Sequence, residues 1–249
     1  MFKSMKAYDP NVKADIFDFG KLVPMPETLD IVSSADIDKA VTLYKGCNLS
    51  ALPPREVQKF QRDKSFVNHL EELAHRTLGN DCGNIYMLLQ DYSMDELFQK
   101  IKQTKEGAKL YGYGEAAYKN IVFYDAPTWY EWRIKNWGTK WNSYDVSFCL
   151  KDKMIAFNTA WSCPVPVIRK LVDIFPEIPF VLDYADEDFG SNAGRIEYDR
   201  KEFRHIEYED GSPEACNTYV NIWGESPCLY QDESGLWRHY NCDDCPNPC

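Results

Sequence analysis

The period of the hydrophobic residues changes near the middle of the chain, and this change limits the folds that the sequence can adopt. From residue 53 to about residue 120, apolar residues recur at intervals of three and four, which is typical of helices packed on a core. From residue 145 onward, they alternate with polar residues in short runs separated by turns and prolines. A helical block followed by short strands predicts an α+β fold, with an antiparallel sheet and helices mainly on one face.

Turn and capping residues mark the ends of the predicted elements. A helix whose apolar stripe starts at Phe66 is expected to end at Gly79, and another helix is expected to begin after Ser93. Residues 16–23 are expected to form a strand that Pro24 ends. The remaining predictions are a hairpin over 145–161, a helix over 164–175, a strand over 178–184 and a pair of strands over 194–210.

The negative charge of the chain is concentrated in its last 69 residues. The whole sequence has 28 Lys and Arg against 39 Asp and Glu, and residues 181–249 hold 5 of the basic and 16 of the acidic residues. Such a surface repels phosphate backbones, so the acidic C-terminal third is not expected to bind nucleic acid. It suits a basic protein partner or a solvated face, and its candidate binding residues are Asp186, Glu187 and Asp188. Together with Asp183, the same carboxylates could hold a hard cation.

Tryptophans are concentrated in one segment, where four of the 7 lie within 13 residues. Trp129 and Trp132 are three residues apart and share a face of a predicted helix, which Gly138 is expected to end. One interpretation is that the indoles pin this helix end over the sheet, because an indole buries a large apolar area. The other is an exposed stacking or protein-binding platform, for which the candidate residues are Trp137, Lys140 and Trp141.

The sequence contains no set of residues that predicts a particular reaction. Gly112 and Gly114 begin a pattern like that of dinucleotide-binding loops, but no core strand precedes them. The four histidines follow neither a metal-binding spacing nor the order of a catalytic triad, and no nucleophile can be paired with a base. We therefore assign no catalytic residue, and the sequence favours a binding role over an enzymatic one.

The cysteines are expected to be reduced, because the sequence shows no export signal. The chain has nine cysteines, no apolar run long enough to span a bilayer and no signal-peptide core near its first residue. We therefore expect a cytoplasmic protein with reduced thiols and no membrane association.

Four cysteines near the C-terminus form a candidate zinc site. Cys242 and Cys245 have the spacing with which two thiolates hold one zinc ion, and Cys228 and Cys249 could complete the set. A strong zinc signature has two such pairs, whereas this segment has one and ends the sequence. The sequence by itself therefore favours a metal-free acidic tail, with zinc as the alternative and no other cofactor expected.

Three segments together resemble a known family. They are FDFGKLVPMPETL, YEWRIKNWGTKWNSYDV and AFNTAWSCPVPVIRKLVDIFPEIPFVLDYADEDFG. They are similar to the YubB ferredoxin-like family carried by plasmids and phages, over about residues 17–210. The resemblance implies a ferredoxin-like sheet and a mobile-element origin, but it implies no activity. Family members usually begin with an extra strand before the FDF segment, which is short or altered here, and the cysteine-rich tail lies outside the family pattern.

These observations give one reading of the chain. Residues 1–225 are expected to form a single α+β ferredoxin-like domain with a helical insertion over about 53–120, and residues 226–249 an acidic, cysteine-rich hairpin and tail. The expected function is that of a phage or plasmid accessory protein that acts by binding, through its acidic surface, and so inhibits a host or defence factor. The alternative is an enzyme or a nucleic-acid processing factor that uses the tryptophan-rich segment as a cleft.

Overall fold

The fold is α+β, as predicted, with 50% helix, 17% strand and small antiparallel sheets. A computed structural model describes residues 5–9, 14–63, 65–149, 151–241 and 245. The α-helices in these residues are α1 (Phe19–Leu22), α2 (Ile37–Cys47), α3 (Pro54–Arg62), α4 (Ser65–Leu78), α5 (Ile85–Asp91), α6 (Met94–Gln103), α7 (Lys105–Tyr124), α8 (Trp129–Trp137), α9 (Val165–Ile174) and α10 (Pro213–Trp223). Short 3₁₀ helices lie at Glu27–Leu29, Leu49–Ala51 and Asn80–Cys82.

The strands pair in antiparallel fashion with neighbours along the chain. They are β1 (Lys6–Asp9), β2 (Ala14–Phe17), β3 (Tyr144–Cys149), β4 (Met154–Asn158), β5 (Phe180–Tyr184), β6 (Gly194–Tyr198), β7 (Phe203–Glu207), β8 (Leu229–Gln231) and β9 (Trp237–His239). The pairs are β1–β2, β3–β4 and β8–β9, and β6 lies between β5 and β7 in a three-stranded sheet. The strands and hairpins predicted from residue 145 onward are therefore confirmed.

Contacts divide the chain into two compact units. One unit is continuous and runs from Met25 to Trp132, and the other combines Met1–Pro24 with Arg133–Cys249. We call them the helical unit and the α/β unit. The predicted boundary between a domain over 1–225 and a tail over 226–249 stays a prediction.

The helical unit is built around one apolar core. Helix α7 packs against α2 and α6, and the core is completed by apolar residues of the surrounding helices. Ser93 caps α6 as expected, because its hydroxyl accepts from the Glu96 backbone N–H while the Glu96 carboxylate accepts from the Ser93 N–H. The α-helices extend beyond the predicted limits of residues 53 and 120. Helix α2 begins at Ile37, and helix α7 ends at Tyr124.

The first strand of the sequence is shorter than predicted. Strand β2 ends at Phe17, and the expected continuation to residue 23 is wrong, because Phe19–Leu22 is a helical turn. The Asp18 side chain accepts from the backbone N–H of Gly20 and caps this turn, while Asn142 accepts from that of Phe19. Apolar residues alone could not distinguish the two structures, because Phe19 and Leu22 are buried in either.

The three-stranded sheet positions most of the candidate site. The side chains of Ile196 and Tyr198 on the central strand β6 are buried, while those of the alternating residues Arg195 and Glu197 are half-buried, as expected for a sheet with one covered face. Helix α10 packs against β5 and β9. In the described part of the chain, no helix combines the length and the apolar character needed to cross a membrane.

Candidate functional site

Trp137 is part of the core of the α/β unit. Its side chain is 3% exposed, and its indole N–H donates to the backbone carbonyl of Val23 at 2.8 Å. Its ring contacts Phe19 edge to face and lies 4.7 Å from the guanidinium carbon of Arg133. Trp137 therefore follows the first interpretation of the tryptophan segment, in which the indole is buried against the fold. A ring buried in this way cannot stack on a ligand.

Lys140 and two exposed indoles form a second environment in the same segment. Trp141 is 49% exposed and Trp161 is 70% exposed. The Lys140 ammonium lies 4.3 Å from the ring centre of Trp141 and 3.3 Å from that of Trp161, both within the range of cation–π attraction. We call these three residues the indole–lysine cluster. The sequence predicted Lys140 and Trp141, and it missed Trp161.

The backbone holds Trp161 in a strained conformation. Its φ of 70° lies in the left-handed region, which is rare for a bulky side chain and costs on the order of 1–3 kcal/mol. Three hydrogen bonds fix the loop on either side of it. Thr139 donates to the carbonyl of Ala160 at 2.9 Å, Thr159 to that of Ser162 at 2.8 Å, and Ser162 to that of Gly138 at 2.5 Å. The exposed indole is therefore presented by a loop that hydrogen bonds hold on both sides.

An acidic cleft of about 430 Å³ lies at one end of the three-stranded sheet. Its lining comes from the loop between β5 and β6 and from the end of β7 and the residues after it: Tyr184, Asp186, Asp188, Ser191, Asn192, Ala193, Glu207, Tyr208 and Asp210. The strand order brings these two regions together, because Gly194 pairs with Tyr184 on one side and with Glu207 on the other. Two of the three predicted acidic residues line the cleft, whereas Glu187 is exposed and does not.

The cleft carboxylates form no ion pair with a lysine or arginine of the described chain, and the basic side chain beside them is His205, near Glu207. These carboxylates belong to Asp186, Asp188, Glu207 and Asp210. Asp183 on the adjacent strand, in contrast, pairs with Arg195 at 2.6 Å. The cleft therefore carries negative charge that the described chain does not compensate.

Asn192 connects the cleft to the indole–lysine cluster. Its side-chain amide donates to the carbonyl of Trp161 at 3.0 Å and reaches a carboxylate oxygen of Asp186 at 3.4 Å, and its backbone N–H donates to Asp210 at 3.0 Å. Asn192 has a φ of 43°, a conformation that asparagine tolerates better than most residues. An aromatic anchor and an acidic cleft are thus fixed beside each other.

A tyrosine–histidine pair lies at the inner side of the cleft. The Tyr184 hydroxyl is 2.9 Å from Nε2 of His205, which lies 4.0 Å from a carboxylate oxygen of Glu207. Burial, with smaller contributions from Cys163 and nearby acidic groups, raises the pKa of Tyr184 well above its ordinary value. The phenol therefore stays neutral at physiological pH and serves as a hydrogen-bonding group rather than as a base.

Two of the four predicted zinc ligands lie within the described residues, and the structure brings them together. The Sγ atoms of Cys228 and Cys245 are 3.5 Å apart. Cys242 and Cys249 lie outside the described residues. Among residues that the structure describes, no three Cys, His, Asp or Glu side chains are grouped so that they could hold a metal ion. This applies to the carboxylates of the acidic cleft as well.

Comparison with known proteins gives one match. A family described as "Ferredoxin-like domain in Api92-like protein" matches residues 136–231, which is less than half of the chain and lies within the α/β unit. The match confirms the predicted ferredoxin-like fold for this part of the chain. No curated protein and no solved structure matches.

Proposed function

We propose that this protein is a binding protein whose acidic cleft holds a basic segment of a partner protein. The observation that carries the proposal is the set of four carboxylates, Asp186, Asp188, Glu207 and Asp210, which surround one cleft without an ion pair to Lys or Arg in the described chain. A Lys or Arg side chain of a partner would supply the missing positive charge. Hydrogen bonds to charged groups contribute about 1.5–3 kcal/mol each, and guanidinium groups bind carboxylates in a two-pronged geometry.

The neighbouring indole supports a protein partner. Exposed tryptophans contribute a large share of the binding energy at protein interfaces, especially when the loop that presents them is held in place. Trp161 is such a residue, and Asn192 ties its loop to the cleft. A partner segment with a cation next to an apolar or aromatic side chain would contact both.

The wider setting belongs to the same proposal. The resemblance of residues 17–210 to the YubB family supports an origin on a phage or plasmid. The partner is then a host or defence protein in the cytoplasm, which this chain inhibits by occupying a basic surface. An acidic protein surface suits this role because it competes with nucleic acid for basic sites.

Binding of a short oligo-arginine peptide tests the cleft directly. The peptide should bind the full chain at low salt, and its affinity should fall as salt screens the charges. Asp188→Asn should weaken binding about tenfold, which corresponds to about 1.4 kcal/mol. The matched control is Glu187→Gln, which removes the same charge from an exposed neighbour outside the cleft and should change affinity less than about twofold.

Two results would count against the cleft. Equal losses of affinity in Asp188→Asn and Glu187→Gln would show that the peptide senses only the overall charge. Unchanged affinity in an Asp188→Asn/Glu207→Gln variant would show that the peptide binds elsewhere. Capture of host proteins by wild-type protein and by both single variants then identifies the partner that depends on Asp188.

The indole–lysine cluster supports a second candidate function, an enzyme or a nucleic-acid processing factor. Trp141 and Trp161 are exposed and lie beside a lysine, which is an arrangement that can stack on bases and contact a phosphate. Binding of a fluorescent single-stranded oligonucleotide distinguishes the two functions. Binding that Trp161→Ala weakens and Asp188→Asn leaves intact or strengthens would favour nucleic acid over a basic protein segment.

A further inference from the structure

The ammonium of Lys140 is held over the faces of two exposed indoles. It lies 4.3 Å from the ring centre of Trp141 and 3.3 Å from that of Trp161. The face of an indole carries the negative part of the ring quadrupole and attracts a cation within about 6 Å. Two such faces at one point form a binding site for a cation, and Lys140 occupies this site in the free protein.

The two indoles are the partners of the Lys140 ammonium in the part of the chain that the structure describes. No ion pair and no hydrogen bond of this ammonium occurs there. A lysine ammonium is compact and strongly hydrated, and its four-carbon stem is flexible. Its hold on the rings is therefore weaker than that of a cation with less water to lose.

An arginine side chain is such a cation. Its guanidinium is planar, is more weakly hydrated than an ammonium and stacks on aromatic faces. The acidic cleft requires a basic partner segment, and the Asn192 amide connects it to the indoles by reaching both the Trp161 carbonyl and Asp186. Given the proposed function, on which this step rests, we propose that Trp141 and Trp161 bind an arginine of this segment, which displaces Lys140.

Displacement of Lys140 makes the site selective for arginine. The charge of Lys140 repels a second cation, so the arginine enters when the flexible lysine stem swings away. The loop of Trp161, in contrast, is held by hydrogen bonds on both sides. A segment therefore gains affinity from the indoles when it carries an arginine beyond the cations that the cleft holds, and a lysine in that place gains less.

Binding of the oligo-arginine peptide to Lys140→Ala tests the displacement. Removal of the competing ammonium should raise the affinity of the full chain for this peptide about threefold to fivefold. An oligo-lysine peptide of equal length should gain less than about twofold. The matched control is Lys151→Ala, which removes an exposed lysine from the turn between β3 and β4 and should raise either affinity less than about twofold.

The same substitution without the indoles separates displacement from a simple loss of electrostatic repulsion. In a Trp141→Ala/Trp161→Ala background, Lys140→Ala should raise the affinity for oligo-arginine less than about twofold, because the guanidinium has no ring faces to occupy. Both indoles are exposed, so this background keeps the buried core. An equal gain with and without the indoles would overturn the proposal, and so would a wild-type affinity for oligo-arginine in Lys140→Ala.

Asp188→Asn distinguishes failure of this site from failure of the cleft. Weaker peptide binding in Asp188→Asn, without a gain in Lys140→Ala, would overturn the arginine site and leave the proposed function in place. A gain in Lys140→Ala, with unchanged binding in Asp188→Asn, would support the arginine site and count against the cleft. Weaker binding of a single-stranded oligonucleotide to Lys140→Ala, with no gain for oligo-arginine, would overturn the arginine site in favour of nucleic acid, because the lysine then contacts a phosphate.

Discussion

Asn192 donates its side-chain amide to the carbonyl of Trp161, a residue 31 positions earlier, and both residues have positive φ angles. The bond joins a loop that follows β4 to a loop that precedes β6. Each loop has a left-handed backbone conformation at the residue that meets the other, where the acidic cleft adjoins the indole–lysine cluster. Strain such as that at Trp161 persists only when surrounding contacts fix the conformation, and it is most common at functional sites.

Replacement of Asn192 tests this connection. Asn192→Ala should lower the free energy of unfolding by about 1–3 kcal/mol, because it removes the side-chain hydrogen bonds. Alanine would also keep the unfavourable φ of 43° without hydrogen bonds of its side chain to offset it. Asn192→Gly loses the same bonds without the backbone penalty and should cost about 1 kcal/mol less. Urea unfolding measures both. Equal losses would mean that backbone strain at this position contributes nothing.

Trp137 and Trp141 should differ sharply in their contributions to stability. Trp137→Ala removes a buried indole and its hydrogen bond to Val23 and should cost about 3–5 kcal/mol. Trp141→Ala removes a half-exposed indole and should cost less than about 1 kcal/mol. Chemical unfolding followed by circular dichroism compares the two variants. A loss for Trp141→Ala as large as that for Trp137→Ala would contradict the exposed position of Trp141.

Replacement by alanine should have opposite effects on stability at two glycines of α7. A Cβ at Gly114 would lie 1.9 Å from the backbone oxygen of Ala40 on α2, so Gly114→Ala must push the two helices apart and should cost about 1–3 kcal/mol or more. A Cβ at Gly112 would meet no heavy atom within 4 Å, and Gly112→Ala should stabilise the helix by about 0.5–1 kcal/mol. Thermal unfolding of the two variants should give melting temperatures on opposite sides of the wild type.

Stability should fall in alkaline solution because of a buried thiol. Burial raises the pKa of Cys163 from 9.0 to about 12. Between pH 9 and pH 12 the unfolded chain loses this proton while the folded chain keeps it, so folding stability decreases as pH rises, by at most about 1.4 kcal/mol per pH unit. Tyr184, whose pKa burial also raises, adds to the decrease above its ordinary value of 10.

The slope of stability against pH isolates the contribution of Cys163. Cys163→Ala should flatten the decrease between pH 9 and pH 12. Urea unfolding at a series of pH values provides the measurement. An unchanged slope in Cys163→Ala would show that this thiol ionises equally well in the folded chain.

Local patterns were sufficient to predict most elements of the α/β unit. The β3–β4 hairpin, helix α9, strands β5 to β7 and the C-terminal hairpin follow from alternation, prolines and turn residues that are adjacent in the sequence. The segment at Phe19 could not be predicted in this way, because its helical turn depends in part on Asn142, which is more than a hundred residues away.

The candidate site depended on contacts that a single sequence does not display. In the sequence, Asp186 and Asp188 belong to a segment typical of a solvated loop. The strand order of the folded chain brings Glu207 next to this loop. In the sequence, Trp161 is simply the last residue of a hairpin pattern. Its loop is held by hydrogen bonds from Thr139 and Asn192, which are distant in the sequence. The sequence shows the spacing of the four C-terminal cysteines. The contact between Cys228 and Cys245 forms only when β8 and β9 pair as a hairpin.

The pairing of Phe17 with Ser143 sets an order of events on the ribosome. The N–H of Phe17 donates to the Ser143 hydroxyl, which donates in return to the carbonyl of Phe17, across a separation of 126 residues. At about 5–20 residues per second, the N-terminal hairpin must wait on the order of ten seconds for this partner to emerge. The helical unit is continuous and is synthesised completely within that interval. Until Ser143 emerges, the apolar side chains of Ile16, Phe17 and Phe19 lack this part of their final surroundings and are available to a ribosome-bound chaperone.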